Sequence, residues 1–363
     1  MSRCLDLASK GSGQVSPNPM VGSVIVKNNR ILAEGYHHHL GGAHAEIEAL
    51  QKIKFKAQGT TLYCNLEPCC HVGRTPPCVH RIIESGIKKV VVAHRDPNPL
   101  VAGKSIRLLR KAGIEVVEDV LKEEALFLNR IFITWITKKR PYVVLKMALS
   151  QDGKIGFSKK TKKRKVFWIT GKQARKEAHV LRSKLDAILV GVNTVLCDNP
   201  KLTVRGVKRN RQPARFVLDS HLRTPLCSQI FRKNRGAVFL GALKSSKKRG
   251  SLYEKKGASV WFFPGSTKIP LKDLLGCMAT HEISSLLVEG GPIVWQSFLK
   301  NGLCDEMVLY VSPKILGPDA ISAMKSWKEI RDRWRVVGFR RLGVDKKFIL
   351  MKKKVGKNVY RYY

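Results

Sequence analysis

No stretch of the 363 residues approaches the ~20 uninterrupted apolar residues that a membrane-crossing helix needs. Residues 1–15 hold no apolar run leading to a small-residue cleavage site either. The expectation is a soluble, unsecreted protein of the cytoplasm. Nine cysteines are present, but without the regular spacing of a disulfide framework. Several adjoin histidines or lie among apolar residues, which suits metal binding or burial in a reducing compartment. Acidic residues are scarce: 27 Asp and Glu stand against 68 Lys and Arg, a net charge of +41. Such a field attracts phosphorylated small molecules and nucleic acids alike, and speaks to association rather than fold. Lysine enrichment of a whole proteome would produce it with no partner at all. The basic runs at 159–165, 208–215, 244–249 and 352–357 also lack the interleaved aromatics on which single-stranded nucleic acids stack.

What is present is enough apolar material, 44% of residues, to build cores, in a chain long enough for two of them. VGSVIV at 21–26 reads as a buried strand, and Asn28 with Asn29 as a turn into a second strand near residues 31–33. The spacing predicts a helix over 44–52, a strand over 61–65, a Pro- and Cys-rich loop to Cys78, a helix through Ile82, and a strand over 89–93. A helix over 123–137 runs into Lys138, Lys139, Arg140 and Pro141, where a domain boundary is expected. Beyond it, strands are expected at 142–149, 187–190, 214–218 and 283–289, with helices at 172–183 and 293–300. Strands alternating with helices make both halves α/β. No internal repeat is visible, and the segment after Val336 carries no reading.

His44-Ala45-Glu46 opens a predicted helix, and Glu67-Pro68-Cys69 with Cys78 follows a predicted strand. A catalytic zinc needs three protein ligands and one open position for water, and one histidine with two thiolates provides that set. The metal lowers the pKa of its water toward neutrality, giving a hydroxide that can attack an amidine-like ring carbon. Glu46, on the same helical turn as the histidine, is placed to pass protons. Taken alone, a His-x-Glu is as easily a helix start; the full set argues otherwise.

The zinc deaminase signature closes with a short Cys-x-x-Cys, whereas eight residues separate Cys69 from Cys78 here. His-Ala-Glu followed by LEPCCHVGRTPPC, with PNPMVGSVIV upstream and RDPNPLVAGKSI downstream, resembles the deaminase of the bifunctional riboflavin biosynthesis proteins, in which a diaminohydroxyphosphoribosylaminopyrimidine deaminase is joined to a reductase. The resemblance implies zinc on His44, Cys69 and Cys78 and a proton shuttle in Glu46. Cys70 stands where that family commonly has serine and is not expected to be a ligand. The resemblance puts Asn18 at the mouth of the pocket as a hydrogen-bond partner for the pyrimidine. Arg74 either reaches the substrate phosphate or stays solvated. His37, His38 and His39 look like a metal tract, but neighbours in a strand point to opposite faces, so a structural role is expected.

VLKMALSQDGKIG, WITGKQAR, LVGVNTVLCDNPKLTVR, VLDS and VEGGPIVWQSFL occur in this order and resemble the reductase of the same family, related in fold to dihydrofolate reductase. The Gly-Gly-Pro turn between a strand and a helix exposes backbone N–H groups where a cofactor phosphate is stabilised. The resemblance implies an NADPH site lined by Ala148, Trp168, Thr194, Asp198, Ser220 and the segment Gly291, Pro292, Ile293, Val294, Trp295, Gln296 and Ser297. It implies substrate contacts from Arg182, Leu202, Arg205 and Glu289, with Lys146 and Asp152 shaping the same cleft. One departure is the long basic loop over 154–167, with Val166 where a substrate-contacting serine is expected.

The resemblance implies a three-layer α/β/α cytidine-deaminase-like domain over residues 1–140 and a dihydrofolate-reductase-like α/β domain over 141–363. The activity implied is hydrolytic deamination of a pyrimidine ribosyl phosphate followed by NADPH-dependent reduction of its ribosyl chain. A homo-oligomer acting on a small molecule, with neither membrane nor nucleic acid as partner, is expected. The rival is a zinc-dependent RNA deaminase with a basic accessory domain, because the zinc chemistry is shared.

Overall fold

The computed structural model describes residues 1–71, 76–157, 167–207, 211–232, 235–324 and 327–353. Two compact units meet in sequence at Arg140 and Pro141.

In the first unit the predicted hairpin forms from β1 (Gly22–Lys27) and β2 (Arg30–Tyr36). Asn28 and Asn29 close it with φ of 49° and 59°, a left-handed conformation that asparagine tolerates better than most residues. β3 (Thr61–Cys64), β4 (Lys89–Val92) and β5 (Glu115–Val117) complete a five-stranded sheet in the order β2-β1-β3-β4-β5. β1 is antiparallel to both neighbours, and the remaining pairs are parallel. Ile25, Leu50, Leu62, Ile82, Val90 and Leu109 pack together in its core.

Gly35 decides how closely the helix Ala45–Lys52 approaches β2. A Cβ there would lie 2.3 Å from the Ala45 carbonyl oxygen and 2.7 Å from the Ala49 nitrogen, so only glycine lets this helix lie against the strand.

The helix expected over 123–137 is two helices, Lys122–Leu128 and Arg130–Lys138, broken at Asn129. The reason is tertiary. Met20 N donates to Asn129 Oδ1 at 2.8 Å, and Asn129 Nδ2 donates to Met20 O at 3.0 Å. The buried carboxamide thus clasps a backbone more than a hundred residues away, and apolar periodicity cannot register that.

The second unit is a nine-stranded sheet of β6 (Tyr142–Leu149), β7 (Ala187–Gly191), β8 (Ala214–Leu218), β9 (Val238–Leu243), β10 (Ala258–Phe263), β11 (Ser285–Val288), β12 (Glu306–Val311), β13 (Trp334–Leu342) and β14 (Asp345–Lys352). Their order is β10-β9-β8-β7-β11-β6-β12-β14-β13. All pairs are parallel except those of β14, which is antiparallel to β12 and β13. The segment left unread after Val336 therefore supplies most of an edge hairpin. Strand β6 is buried on both faces at its start, as a central parallel strand must be, but Lys146 and Ala148 near its end are half-exposed and share one face. Among the described residues no helix is long and apolar enough to cross a membrane.

Candidate active sites

In the first unit, three elements converge on one point. His44 is the extended residue just before the helix Ala45–Lys52, Cys69 lies in the loop after β3, and Cys78 is the first residue of the helix Cys78–Glu84. Among the described residues they form the one group able to hold a metal, their ligand atoms all within 4.8 Å of one another. His44 Nδ1 is 3.2 Å from Cys78 Sγ and 3.5 Å from Cys69 Sγ. A tetrahedral ion with bonds of ~2.3 Å to sulfur and ~2.0 Å to nitrogen sets N···S near ~3.5 Å, so the donor set fits zinc. Cys70 is outside the group, its thiol 3.9 Å from the Leu100 carbonyl oxygen.

Cys69 is drawn down to about 4 by its hydrogen bonds with Cys78 and His44, and the same contact and burial push Cys78 up. The Cys78 backbone N–H also donates to Cys69 Sγ at 3.3 Å. Glu46, one helical step inside the site, is 3% exposed, and burial raises its carboxyl above the ordinary range.

Asn18 is joined to this site through His37. His37 Nδ1 faces the Ala43 carbonyl oxygen at 3.0 Å, so Nε2 is the acceptor for Asn18 Nδ2 at 3.1 Å. The three histidines do face different ways: His37 is buried with its ring edge toward His44, whereas His38 is on the surface, 3.1 Å from Glu48 Oε2. Arg74 lies outside the described residues.

Sequence reasoning missed Glu67. Its buried carboxylate accepts from the backbone N–H of Asp96 (3.1 Å), Gly103 (2.8 Å) and Ile106 (3.3 Å), fixing the 96–106 segment beside the cysteine loop. Its place in the Leu-Glu-Pro-Cys run was the only available signal.

In the second unit the expected residues gather at the carboxyl ends of β6, β7, β8 and β11. There the order β7-β11-β6 separates strands consecutive in sequence, the usual place for a ligand in an open parallel sheet. Thr194 and Asp198 follow β7, Ser220 follows β8, and Glu289 and Gly291 follow β11. Arg182, on the helix Lys172–Lys184, donates Nε to Glu289 Oε1 at 2.7 Å and Nη2 to Oε2 at 2.6 Å. Its Nη1 donates to the Thr203 carbonyl oxygen at 3.0 Å. Lys146 Nζ is 3.8 Å from Glu289 Oε2. Burial opposes ionisation of Glu289, but Arg182 and Lys146 outweigh it and hold the carboxyl at about 2. Burial likewise lowers Lys146 from its ordinary value. Leu202 is buried at φ 49°, an unusual conformation for leucine that presents the following Thr203 to both arginines. Arg205 Nη1 donates to Thr203 Oγ1 at 3.0 Å.

Gly291 caps the helix Pro292–Lys300, whose first turn is open: Ile293 is 69% exposed and a Cβ on Gly291 would meet nothing. Trp295 is turned away into the core, so within 291–297 its side chain does not face the opening. Trp168 is exposed, with the Arg175 guanidinium 4.5 Å from its ring centre. Asp152 serves the loop after β12, accepting from the N–H groups of Leu316 and Gly317, and does not reach Lys146 or Glu289 through any of its hydrogen bonds. Val166 and most of the basic loop lie outside the described residues.

An α/β unit with a His-Cys-Cys zinc set beside a buried carboxylic acid, followed by an α/β unit with a cationic cleft at its strand ends, defines an enzyme with a deaminase part and a second active part. Residues 1–94 match the cytidine and deoxycytidylate deaminase zinc-binding region, and residues 141–348 match the RibD C-terminal domain. The riboflavin biosynthesis protein RibD of Aquifex aeolicus is 47% identical over 87% of this chain and 87% of its own, and that of Escherichia coli is 36% identical over 88% of each. Among solved structures, RibD of Acinetobacter baumannii superposes with a TM-score of 0.87 at 35% identity, covering 97% of this chain and 98% of that one. A Thermotoga maritima diaminohydroxyphosphoribosylaminopyrimidine deaminase/5-amino-6-(5-phosphoribosylamino)uracil reductase gives 0.82 at 37% identity, covering 97% of both. The chain belongs to the RibD family. It is a bifunctional deaminase and reductase of riboflavin biosynthesis, with zinc and NADPH as cofactors, and the RNA-deaminase alternative is set aside.

Proposed function

We propose that residues 1–140 deaminate 2,5-diamino-6-ribosylamino-4(3H)-pyrimidinone 5′-phosphate and that residues 141–363 then reduce its ribosyl chain to ribityl. The observation that carries the first step is the convergence of His44, Cys69 and Cys78 beside the buried Glu46. His44, Cys69 and Cys78 would hold the zinc, which would polarise the attacking water. Glu46 takes the proton from that water, delivers it to the ring nitrogen, and then moves a proton to the departing amine as the C–N bond breaks and ammonia leaves. A raised carboxyl pKa suits a group that must both take and return a proton. Asn18, with its Nδ2 engaged by His37, turns its carbonyl oxygen to the pyrimidine as an acceptor.

In the second unit NADPH, when bound, would supply a hydride to C1 of the opened ribosylamine, and the protein supplies orientation and charge. Ala148, Trp168, Thr194, Asp198, Ser220 and the opening of the helix at Gly291 would hold the nicotinamide dinucleotide. Arg182 keeps two of its five N–H groups beyond those given to Glu289 and Thr203, and with Arg205 directs them to the substrate phosphate. Lys146, ion-paired to Glu289, faces the reacting chain.

The protein acts as a homo-oligomer in the cytoplasm without a nucleic-acid partner. Support for the oligomer comes from the edge strand β13, where Val336 and Phe339 are 49% and 55% exposed. Zinc-loaded protein is incubated with the diamino substrate, first without and then with NADPH, while ammonia and nicotinamide absorbance are followed. Ammonia before NADPH, then nicotinamide oxidation on its addition, is the expected result. Oxidation before ammonia would reverse the proposed order, and the absence of both would remove the substrate assignment.

A further inference from the structure

The loop bearing Arg205 is tied to two others. The Gln212 side chain holds Val204 as a neighbouring strand would: Val204 N donates to Oε1 at 2.8 Å, and Nε2 donates to Val204 O at 3.1 Å. Gly236 rests on the same glutamine. With φ 87°, a Cβ built on it would lie 3.3 Å from Gln212 Cβ and 2.6 Å from the Pro213 carbonyl oxygen. The Gly236 carbonyl oxygen accepts from the buried Arg215 Nη2 at 2.6 Å. The backbone after β7, the start of β8 and the approach to β9 are therefore packed side by side; the first carries Arg205 and the last Arg235, while the arginine of β8, Arg215, is buried. Arg182 joins them through Thr203.

The charges in this patch do not balance. Both oxygens of Glu289 are engaged by Arg182 at 2.6 and 2.7 Å. Among the described residues, neither Arg205 nor Arg235 has a carboxylate within ion-pair distance. Burial, then the nearby charges of Arg182 and Arg235, push Arg205 below its ordinary value. Burial and the two arginines Arg182 and Arg205 bring His179, whose Nδ1 accepts from Arg205 N at 3.3 Å, down to about 4, so it stays neutral and adds no charge. Arg205 and Arg235, with no carboxylate partner among the described residues, leave a patch of positive charge that suits a polyanion, and a phosphomonoester offers three oxygens that match the planar donor forks.

We propose that Arg235 is a third cation of a phosphomonoester receptor formed with Arg182 and Arg205, in which Gln212 and Gly236 set the distance between the two loops. This rests on the reading of Arg182 and Arg205 as ligands of the substrate phosphate. The phosphomonoester comes either from the 5′-phosphate of the pyrimidine substrate or from the 2′-phosphate of NADPH, and the two are separable. Ribose 5-phosphate, NADPH and NADH are each titrated calorimetrically into the full-length wild type and into R235A, R235K and R205A, with deaminase turnover as the check of folding.

The expected result is that R235A binds ribose 5-phosphate roughly tenfold more weakly, that R235K recovers part of the loss, and that NADPH affinity is unchanged. In turnover, the reductase KM rises while kcat holds. A loss confined to NADPH, with NADH unaffected, keeps the receptor and assigns it to the cofactor phosphate. Unchanged binding of all three ligands by R235A, with R205A impaired, overturns the proposal and leaves the substrate reading standing. Unchanged binding by both variants overturns the two together.

Discussion

The two active parts are built in opposite ways. The zinc site draws its ligands from a stretch of 35 residues, His44 to Cys78, and each sits at the start of a helix or just past a strand. The reductase cleft draws on residues from Lys146 to Glu289, set at the ends of four parallel strands and one covering helix. In the first, one metal ion would organise three donors that already lie within 4.8 Å of one another. In the second, organisation comes from a buried ion cluster in which Glu289 holds Arg182 through two hydrogen bonds and Lys146 through charge. A metal site is compact because coordination distances are short. A dinucleotide site is spread out because its ligand is long, and a parallel sheet offers the row of strand ends needed to hold it.

The contrast is most sharply tested at Glu46. Replacing Glu46 with Gln keeps size and burial but removes the proton carrier, so deamination should fall by roughly 10² to 10⁴, while reduction of pre-deaminated substrate continues at the wild-type rate. Parallel losses in both activities would mean that the two parts are not independent.

Glu289→Ala leaves Arg182 and Lys146 buried without their acid, a defect that typically costs about 3–5 kcal/mol. Calorimetry should show the second unit melting earlier, with ammonia release by the first unchanged at temperatures where both are folded. A single transition shifted as a whole would contradict separate units.

Gly35→Ala tests the helix on which Glu46 sits. The added methyl must push the helix Ala45–Lys52 away from β2, a strain of about 1–3 kcal/mol. Deamination and zinc retention should weaken and reduction should not, as read from chelator-induced zinc loss and both turnover rates.

The smallest effect concerns pH. His179 titrates near 4 when folded, against ~6.5 in an unfolded chain. Between these values the unfolded state binds the extra proton, so the second unit loses stability as pH falls through that window. Glu289, at about 2 when folded, adds a further loss below ~4.3, where the unfolded carboxyl takes up its proton first. His179→Gln should flatten the upper part of the melting-temperature profile and leave the part below ~4.3 in place. A profile unchanged by this substitution would show that His179 is not the group responsible.

The sequence by itself determined a great deal. The hairpin closed by Asn28 and Asn29, the strand Tyr142–Leu149, the helices at Lys172 and Pro292, and the grouping of His44, Glu46, Cys69 and Cys78 were all legible, because turn chemistry, periodicity and metal-ligand type are written within a few residues of one another. Only the tertiary structure decided the rest. The helix break at Asn129 is made by Met20, the anchoring of the 96–106 segment by Glu67, the aim of Trp295 by the core beneath it, and the edge hairpin β13-β14 by its pairing with β12. The meeting of Arg182 and Arg205 depends on Thr203 in the same way. Most of these are contacts between backbone and side chain, or between strands, far apart in sequence, and local pattern holds no information about which distant partner satisfies a buried polar group.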